Sequence, residues 1–297
     1  MMALHAALRG ELKHHESLAR YTSWRVGGDA KQLYRPADAE DLARFLQQLP
    51  EDEPMMWLGL GSNLLVRDGG FDGTVVVTAG VMQNITIHGL TLNAEVGVYC
   101  SKLAKQAAKA GMKGAAFLAG IPGTLGGALA MNAGAHGAET WDFVSAVTTI
   151  DRKGQLRERP VSEFRVSYRH VEIPNGEWFV AAQMQFEQGD AKTESALIRD
   201  LLKKRNASQP TNQPCAGSVF RNPEGDFAGR LIEVSDLKGL RVGGASVSEK
   251  HANFIVNDGA ATAADIESLI YLVQQRVEEL QGIRLTPEVH IVGEKAV

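Results

Sequence analysis

The sequence has few cysteines and no strong excess of charge. Cys100 and Cys215 are the only cysteines among 297 residues, so a disulfide framework is excluded and nothing indicates an oxidising compartment. The 31 basic and 35 acidic side chains leave a net charge of −4, without a basic tail. This balance argues against a nucleic-acid or anionic-membrane partner, although it is compatible with a local basic pocket for a small anion.

The sequence also lacks a clear membrane segment and a metal motif. Residues 1–9 are too short and too interrupted for a secretory signal. The stretch between Lys113 and Glu139 carries no charged residue, but seven glycines and Pro122 break any continuous helix there. We therefore expect a soluble, cytoplasmic protein. No cluster of Cys or His has ligand spacing and no Gly-x-Ser-x-Gly occurs, so we expect neither a metal site nor a serine hydrolase.

Three segments have the pattern of capped helices. Asp38 is expected to cap a helix that Pro50 ends, and Thr193 to cap a helix that follows a linker at residues 187–192. The strongest pattern follows Thr262, with an acidic residue three positions on and Gly282 after the end. Its apolar stripe consists of Ile266, Leu269, Ile270, Val273, Val277 and Leu280.

Short strands are predicted between these helices. Apolar runs at 55–59, 75–78, 178–186 and 289–292 are typical of strands, whereas 85–96 and 144–159 have the alternation of hairpins. Strands in hairpins mixed with separated helices indicate an α+β fold rather than a regular βαβ alternation. At roughly 150 residues per domain, the length suggests two domains or three small ones.

Two glycine-rich segments could hold an anion or a flat ligand close to the main chain. The first, Gly59-Leu-Gly-Ser-Asn-Leu64, follows a predicted strand, so that its N–H groups could converge on an anion. The second runs from Gly120 to Gly134 and adds the polar side chains of Thr124 and Asn132. A tight turn and close helix packing remain open as structural alternatives. Two such segments together fit a pyrophosphate-containing cofactor better than either one alone.

Three further segments place polar groups beside residues that restrict the backbone. They are Ser167-Tyr-Arg169, the stretch Pro214 to Pro223 with Ser218 and Asn222, and Thr286-Pro-Glu288. By itself, each is more often structural: a surface ion-pair partner, a plain turn or a solvated glutamate.

Taken together and in order, these segments resemble the UDP-N-acetylenolpyruvoylglucosamine reductases, in their shorter subclass. The resemblance covers nearly the whole chain, and seven ordered motifs are far more specific than any single one. The motifs are Tyr21 to Gly28, Gly59 to Leu65, Phe117 to Gly137, Ser167 to Arg169, Ala216 to Pro223, Gly239 to Asn257 and Pro287 to Val289. Arg221 departs from the family, in which a lysine is common at that place.

The resemblance implies a two-lobed FAD-binding domain of the vanillyl-alcohol-oxidase type and an α+β substrate-binding domain. We expect FAD-binding lobes at 1–82 and 83–190 and the substrate domain at 191–297, with the strand near 286–293 bringing Glu288 to the active site.

The resemblance also implies roles for individual residues. It assigns catalysis to Arg169, Ser218 and Glu288. Non-covalent FAD would be held by Gly59, Leu60, Gly61, Ser62, Asn63, Leu64, Gly120, Ile121, Pro122, Gly123, Thr124, Gly126, Gly127, Asn132 and Gly134. The UDP-sugar would be held by Tyr168, Arg221, Asn222, Lys238 and His251.

The reaction implied is the NADPH-dependent, FAD-mediated reduction of UDP-N-acetylglucosamine enolpyruvate to UDP-N-acetylmuramate, in peptidoglycan precursor synthesis. Arg169 would stabilise the developing negative charge, Ser218 would protonate C2, and Glu288 would polarise the intermediate if it is protonated. No nucleic acid, membrane or metal is implied; the sequence leaves the oligomeric state open, with a monomer expected.

Two other functions remain open from the sequence. One is a different FAD-dependent oxidoreductase or an oxidase on the same scaffold. Relatives of that kind often bind the flavin covalently through His or Cys. Nothing in the two glycine-rich segments indicates such an attachment. The other is a non-catalytic nucleotide-binding module, which would have no need of Arg169, Ser218 and Glu288.

Overall fold

A computed structural model describes residues 8–296 of the chain as a mixture of helices and short strands. The described residues form α1 (Ala39–Leu46), α2 (Cys100–Lys109), α3 (Leu125–Met131), α4 (Ala191–Ser208), α5 (Ala228–Val234) and α6 (Ala263–Gln281). The strands are β1 (Glu11–Ser17), β2 (Asp29–Arg35), β3 (Met55–Leu58), β4 (Leu64–Val66), β5 (Phe71–Val77), β6 (Ile85–His88), β7 (Thr91–Glu95), β8 (Met112–Lys113), β9 (Gly134–Ala135), β10 (Ala138–Glu139), β11 (Val144–Asp151), β12 (Leu156–Pro160), β13 (Arg165–Ser167), β14 (His170–Glu172), β15 (Glu177–Gln185), β16 (Glu187–Gln188), β17 (Arg241–Val242), β18 (Ala245–Val247), β19 (Ile255–Asn257) and β20 (His290–Val292). The predicted α+β class is confirmed.

The described chain divides into two compact units, and it passes between them several times. Unit 1 contains the residues up to His14, Gln32–Leu60 and Gly73–Lys203. Unit 2 contains His15–Lys31, Gly61–Asp72 and the residues from Lys204 onward. Each unit has a hydrophobic core of its own. The division into three domains at 82/83 and 190/191 stays a prediction.

Unit 1 is built on a five-stranded antiparallel sheet in the order β12-β11-β15-β7-β6. Both predicted hairpins are in this sheet: β6 and β7 turn after His88, and β11 and β12 turn at residues 152–155. The apolar faces of α1 and α2 contribute to its core. As predicted, Asp38 caps α1, because its carboxylate accepts a hydrogen bond from the Asp41 N–H (2.9 Å).

Unit 2 combines the three-stranded antiparallel sheet β17-β18-β19 with α5, α6 and a parallel pair of strands, β4 and β20. Thr262 and Asp265 form the predicted capping box of α6, and Gly282 ends the helix with a φ of +71°. In the β4–β20 register, Leu65 lies opposite Ile291. This pairing places the residues just before β20, including Glu288, beside the turn that precedes β4.

Two sequence predictions around α4 are wrong. The helix is capped by Asp190, whose carboxylate accepts hydrogen bonds from both the N–H and the hydroxyl of Thr193 (2.8 Å each). Thr193 therefore lies in the first turn, because the carboxylate three residues earlier is available as the cap acceptor. The predicted linker also contains β16, which pairs with β8 through Glu187 and Lys113.

Other differences concern positions whose pattern is weak. No strand is predicted in the first 35 residues, but the structure has β1 and β2 there. In their sheet β1 pairs with β2, and β2 pairs with β5, which comes after α1, β3 and β4 in the sequence. Leu280, the last member of the predicted α6 stripe, is 59% exposed because the stripe drifts away from the core at the end of the helix. No helix of residues 8–296 has the length and apolar character needed to cross a bilayer.

Candidate active site

Arg169 lies at the tip of a small hairpin in unit 1. Ser167 of β13 pairs with His170 of β14, which leaves Tyr168 and Arg169 as a two-residue turn, here called the Arg169 turn. Arg169 has a φ of +55°, a backbone conformation that is unusual for a residue other than glycine. The turn therefore presents both side chains at its tip, where Tyr168 is 47% exposed.

The Arg169 guanidinium is anchored to the second glycine-rich segment. Nη1 donates to the Asn132 carbonyl oxygen (3.3 Å) and Nη2 donates to that of Gly134 (3.1 Å). The guanidinium carbon also lies 5.2 Å from the centre of the Tyr168 ring, a cation–π geometry. Both carbonyl acceptors are neutral, so these contacts orient the guanidinium without cancelling its charge. The structure thus joins two segments that the sequence separates by more than 30 residues.

The second glycine-rich segment contains a buried hydroxyl that points at the first. Thr124 is wholly buried, and its Oγ1 has no hydrogen-bond partner among the described residues. A Cβ added at Gly59 would lie 2.5 Å from this oxygen, so only glycine fits there. A Cβ added at Gly127, by contrast, would meet nothing within 4 Å. A polar atom left unsatisfied at this depth is unusual and indicates a ligand or water.

Other residues predicted to hold the cofactor have structural contacts in unit 1. The Asn132 side chain is bonded at both ends: Nδ2 donates to Glu139 Oε2 (2.6 Å), and Oδ1 accepts from the Trp141 N–H (3.1 Å). A Cβ at Gly126 would lie 3.0 Å from that of Val96, which is tight packing. The remaining members are distributed around them: Ile121 is buried, Gly120 and Gly123 are partly buried, Pro122 is exposed, and Leu60 is 38% exposed.

The first glycine-rich segment continues into unit 2 as a turn that only glycine can form. Gly61 has a φ of +62°, and a Cβ added there would lie 2.2 Å from the Tyr21 carbonyl oxygen. The N–H groups of Gly61 and Ser62 donate no hydrogen bond to another described residue. These two N–H groups are therefore available to an anion. Leu64 follows as the first residue of β4.

Ser218 and Glu288 are brought together on this turn. The Gly217 N–H donates to the Ser62 carbonyl oxygen (3.0 Å), and Asn63 Nδ2 donates to the carbonyl oxygen of Glu288 (2.9 Å). The Glu288 N–H in turn donates to the Val219 carbonyl oxygen (2.7 Å), directly after Ser218. The predicted hydroxyl and carboxyl thus lie on adjacent backbone segments, and the Ser218 hydroxyl makes no hydrogen bond to a described residue.

Ser218 lines a cavity of about 500 Å³ in unit 2. Two residues predicted to hold the substrate, Asn222 and His251, line it as well. The other lining residues are Phe227, Gly229, Arg230, Glu233, Lys250, Ala252 and Asn253. Lys238 reaches this wall through Glu233, whose carboxylate lies 2.5 Å from the lysine Nζ. The cavity therefore combines three cationic side chains at or near its wall with a hydroxyl.

The two histidines of this region are kept neutral by their surroundings. Burial lowers the pKa of His251, and the neighbouring Lys238 lowers it further. Its Nδ1 accepts the Asn253 N–H (3.2 Å), which assigns the remaining ring proton to Nε2. Burial likewise lowers the pKa of His290, with Arg221 as the second cause. His251 therefore offers the cavity a neutral N–H donor at neutral pH.

Sequence reasoning missed several residues of this cavity. Arg230 and Lys250 are ordinary surface-type residues by pattern, and Phe227 is 66% exposed despite its size. Asn253 carries a recognisable signal, because it is a single amide in the apolar run from Ala252 to Val256. A polar side chain in a buried run must be hydrogen-bonded, which marks it as structural or functional.

Comparison with known proteins gives two family matches within the chain. Residues 30–159 match the family described as "FAD binding domain". Residues 209–292 match "UDP-N-acetylenolpyruvoylglucosamine reductase, C-terminal domain". The first match contains the second glycine-rich segment, and the second contains Ser218 and Glu288.

Curated relatives match over nearly their full length. A UDP-N-acetylenolpyruvoylglucosamine reductase of Alkalilimnicola ehrlichii is 57% identical, with 99% of each chain covered. The protein of the same name from Legionella pneumophila is 54% identical over 97% of this chain and 94% of its own length.

Solved structures show the same fold. The UDP-N-acetylenolpyruvylglucosamine reductase of Thermus caldophilus superposes with a TM-score of 0.82 at 34% identity, covering 96% of this chain and 99% of that one. The 6-hydroxy-D-nicotine oxidase of Arthrobacter nicotinovorans superposes with a TM-score of 0.60 at 14% identity, over 94% of this chain and 88% of that one. The second likeness concerns the fold alone. Together with the FAD-binding match, these likenesses confirm the predicted FAD-binding scaffold.

Proposed function

The chain belongs to the family of UDP-N-acetylenolpyruvoylglucosamine reductases, and on this premise we propose that it reduces UDP-N-acetylglucosamine enolpyruvate to UDP-N-acetylmuramate with NADPH as the reductant. It is a flavin-dependent oxidoreductase. Synthesis of peptidoglycan precursors and a cytoplasmic location are parts of the same proposal. The observation that carries it is the pairing of the Ser218 and Glu288 segments in unit 2.

The residues present fit FAD. The buried Thr124 hydroxyl lacks a protein partner among the described residues, and Gly127 leaves open space beside its backbone. In unit 2, the N–H groups of Gly61 and Ser62 suit a pyrophosphate oxygen. We propose that these groups hold FAD, together with the main chain of the two glycine-rich segments. Bound FAD supplies hydride transfer, which no side chain of the protein can perform.

Arg169 is proposed to bind the substrate carboxylate. Reduction adds a hydride to C3 of the enolpyruvyl group and a proton to C2, and the electron pair of the double bond shifts toward the carboxylate between these events. A permanent cation with two parallel N–H donors stabilises this growing charge. The carbonyl oxygens of Asn132 and Gly134 orient the guanidinium beforehand, so that little reorganisation is needed.

Ser218 is proposed to deliver the proton to C2. A hydroxyl is a weak acid, so it protonates only a strongly basic carbon and only from a fixed position. Its place beside the paired Val219–Glu288 backbone provides that fixed position. Glu288 is proposed to act in its protonated form, because an ionised carboxylate would oppose the charge that develops on the substrate. Asn222, His251, Lys238, Arg221 and Tyr168 remain the proposed contacts of the UDP-sugar.

The sharpest test is the Ser218→Ala substitution, with the two half-reactions followed separately by the visible absorbance of the flavin under anaerobic conditions. We expect NADPH to reduce the flavin of the variant as fast as in the wild type. Reoxidation by the enolpyruvyl sugar nucleotide should slow by roughly 10²–10⁴-fold, the usual contribution of a positioned proton donor.

Ser235→Ala is the matched control, because it removes a hydroxyl elsewhere in unit 2, one that is buried and donates to the Leu231 carbonyl oxygen. Both half-reactions should be unchanged in this variant. Reoxidation of Ser218→Ala at the wild-type rate would show that the serine is not the proton donor. A wild-type protein that oxidises NADPH without any dependence on the sugar nucleotide would refute the proposed function itself.

A further inference from the structure

We propose that Asn253 is the positioning residue of the reaction: its amide holds Ser218, and through the same backbone Glu288, where they work. The inference rests on the function proposed above. It concerns residues 214–220, here called the Ser218 segment. Asn253 does not act on the substrate itself in this proposal.

Asn253 makes three hydrogen bonds to the two residues that follow Ser218. Its Nδ2 donates to the Phe220 carbonyl oxygen (2.8 Å), and its Oδ1 accepts the Phe220 N–H (3.0 Å). Its own carbonyl oxygen accepts the Val219 N–H (3.0 Å). The amide thus takes the place of a strand partner for Phe220 and fixes the backbone two residues beyond the proposed proton donor.

The same two residues carry the Glu288 backbone on their other side. Val219 accepts the Glu288 N–H (2.7 Å), and Phe220 forms a bridge with Pro287. A shift of the Val219–Phe220 backbone would therefore move Ser218 and Glu288 together. The Asn253 side chain contacts this backbone in the interior of unit 2: Asn253 is only 3% exposed and Phe220 only 1%.

The chemistry of the site explains why such rigidity matters. A misplacement of about 1 Å can cost 10²-fold in rate when reacting groups must be aligned. Ser218 is a weak acid and depends on alignment more than a charged group does. The Asn253 main chain also faces the cavity wall, since its N–H donates to His251 Nδ1 (3.2 Å).

Unit 2 offers a matched control four residues along the chain. Asn257 is also buried, at 5% exposure, and its Nδ2 donates to the Trp24 carbonyl oxygen (2.8 Å). Its Oδ1 accepts the N–H groups of Gly259 (2.8 Å) and Ala261 (3.1 Å). Like Asn253, it uses both ends of its amide, but none of its side-chain hydrogen bonds reaches the Ser218 segment. Its backbone N–H donates to the Pro214 carbonyl oxygen (2.9 Å), a bond that substitution of the side chain leaves in place.

The experiment compares Asn253→Asp with Asn257→Asp in the FAD-loaded enzyme over a range of pH. In either variant the ionised carboxylate can still accept the hydrogen bonds that the amide oxygen accepted. Its second oxygen, however, faces the carbonyl oxygen to which the amide NH₂ donated, and the two repel each other. Protonation restores a donor, and burial raises the pKa of such a carboxyl into a measurable range. We expect Asn253→Asp to be reoxidised by the sugar nucleotide on the order of 10²-fold more slowly than wild type at high pH. The loss should shrink as the pH falls.

Both variants should gain thermal stability relative to the wild type as the pH falls, but only Asn253→Asp should regain reoxidation rate. Reduction by NADPH should be unchanged in both. The wild-type profile, measured in parallel, accounts for the charged and ionisable groups of the cavity wall, His251, Glu233, Lys250 and Arg230, and for Glu288 beside the Ser218 segment. If Asn253→Asp and Asn257→Asp lose reoxidation rate equally, the effect is one of general stability and the proposal is wrong.

A second measurement applies if Asn253→Asp folds poorly. The Asn253→Ala substitution is made in the wild type and in the Ser218→Ala variant, and its effect on the reoxidation rate is measured in each background. If Asn253 acts through Ser218, the Asn253→Ala substitution should slow reoxidation much less in the Ser218→Ala background than in the wild type. Equal cost in both backgrounds would overturn the proposal while leaving the proposed function intact, because that depends only on wild-type turnover.

Discussion

The Arg169 turn of unit 1 and the Ser218 segment of unit 2 hold their functional side chains in opposite ways. The turn joins two three-residue strands in which every residue except Val171 is exposed, and Arg169 adopts a left-handed backbone at its tip. The segment is fixed on one side by Asn253 and on the other by the backbone at 287–288.

The difference matches what each group has to do. A guanidinium attracts a carboxylate over a range of distances, so an exposed turn with two carbonyl anchors is sufficient. Proton transfer from a hydroxyl needs contact at hydrogen-bond distance. The protein therefore places its buried hydrogen bonds around Ser218, the proposed proton donor, and leaves the Arg169 guanidinium on a small hairpin.

The largest effect that would sharpen this comparison is expected from Arg169→Ala. Loss of the guanidinium should slow reoxidation by the sugar nucleotide about 10²–10³-fold, the usual cost of removing a preorganised donor. Arg169→Lys should restore part of the rate, because it keeps the charge but not the fork. Stopped-flow absorbance measures both variants. A lysine variant as slow as the alanine variant would show that two-point geometry, rather than charge, is what the turn provides.

A second prediction compares the stability of the two regions. Phe220→Ala should lower the free energy of unfolding by about 3–5 kcal/mol, because Phe220 is fully buried in the core of unit 2. Val166→Ala, in the exposed strand before the Arg169 turn, should change it by less than about 0.5 kcal/mol. Urea unfolding measures both values. Similar losses in the two variants would mean that the exposed hairpin is as tightly integrated as the Ser218 segment.

The smallest effect concerns pH. Burial lowers the folded-state pKa of His251, so the unfolded chain binds the proton more readily. Its neutral form therefore favours folding above the unfolded-state pKa of about 6.5, and this contribution is lost as the pH falls below that value. His251→Gln should lose less stability than wild type between about pH 7.5 and pH 5.5. Identical pH dependence in the two proteins would place His251 in a more solvated setting than the structure gives it.

Local signals were sufficient for the helices and hairpins that contain their own start and stop. Asp38 and Thr262 cap α1 and α6, and the glycine after α6 ends it, because these contacts involve residues only a few positions apart. The hairpin turning after His88 is local in the same way. In contrast, β1 and β2 carry little pattern of their own. They pair with each other, and β2 joins the rest of the sheet through β5, which comes after α1, β3 and β4 in the sequence.

Side-chain roles within the motifs could not be predicted from residue type. Asn63 and Asn132 have the composition of cofactor contacts, yet Asn63 Nδ2 donates to the Glu288 carbonyl oxygen and the Asn132 amide is bonded to Glu139 and Trp141. Their contact with FAD stays a prediction. An amide can serve the backbone or a ligand equally well, and only the neighbours in the fold decide between the two.

The sequence by itself determined the family and the α+β class, and it carries the side chains proposed for the reaction, because motif order and residue identity are properties of the linear chain. Only the tertiary structure decided which backbone segments lie side by side and so bring those side chains together. The parallel pairing of β4 with β20 sets Glu288 beside the turn at Gly61, and the Val219 backbone next to Ser218 accepts a hydrogen bond from the Glu288 N–H. One of these hydrogen bonds, from Asn63 to Glu288, joins residues 225 positions apart. They form only once the apolar core of unit 2 has brought their backbones together.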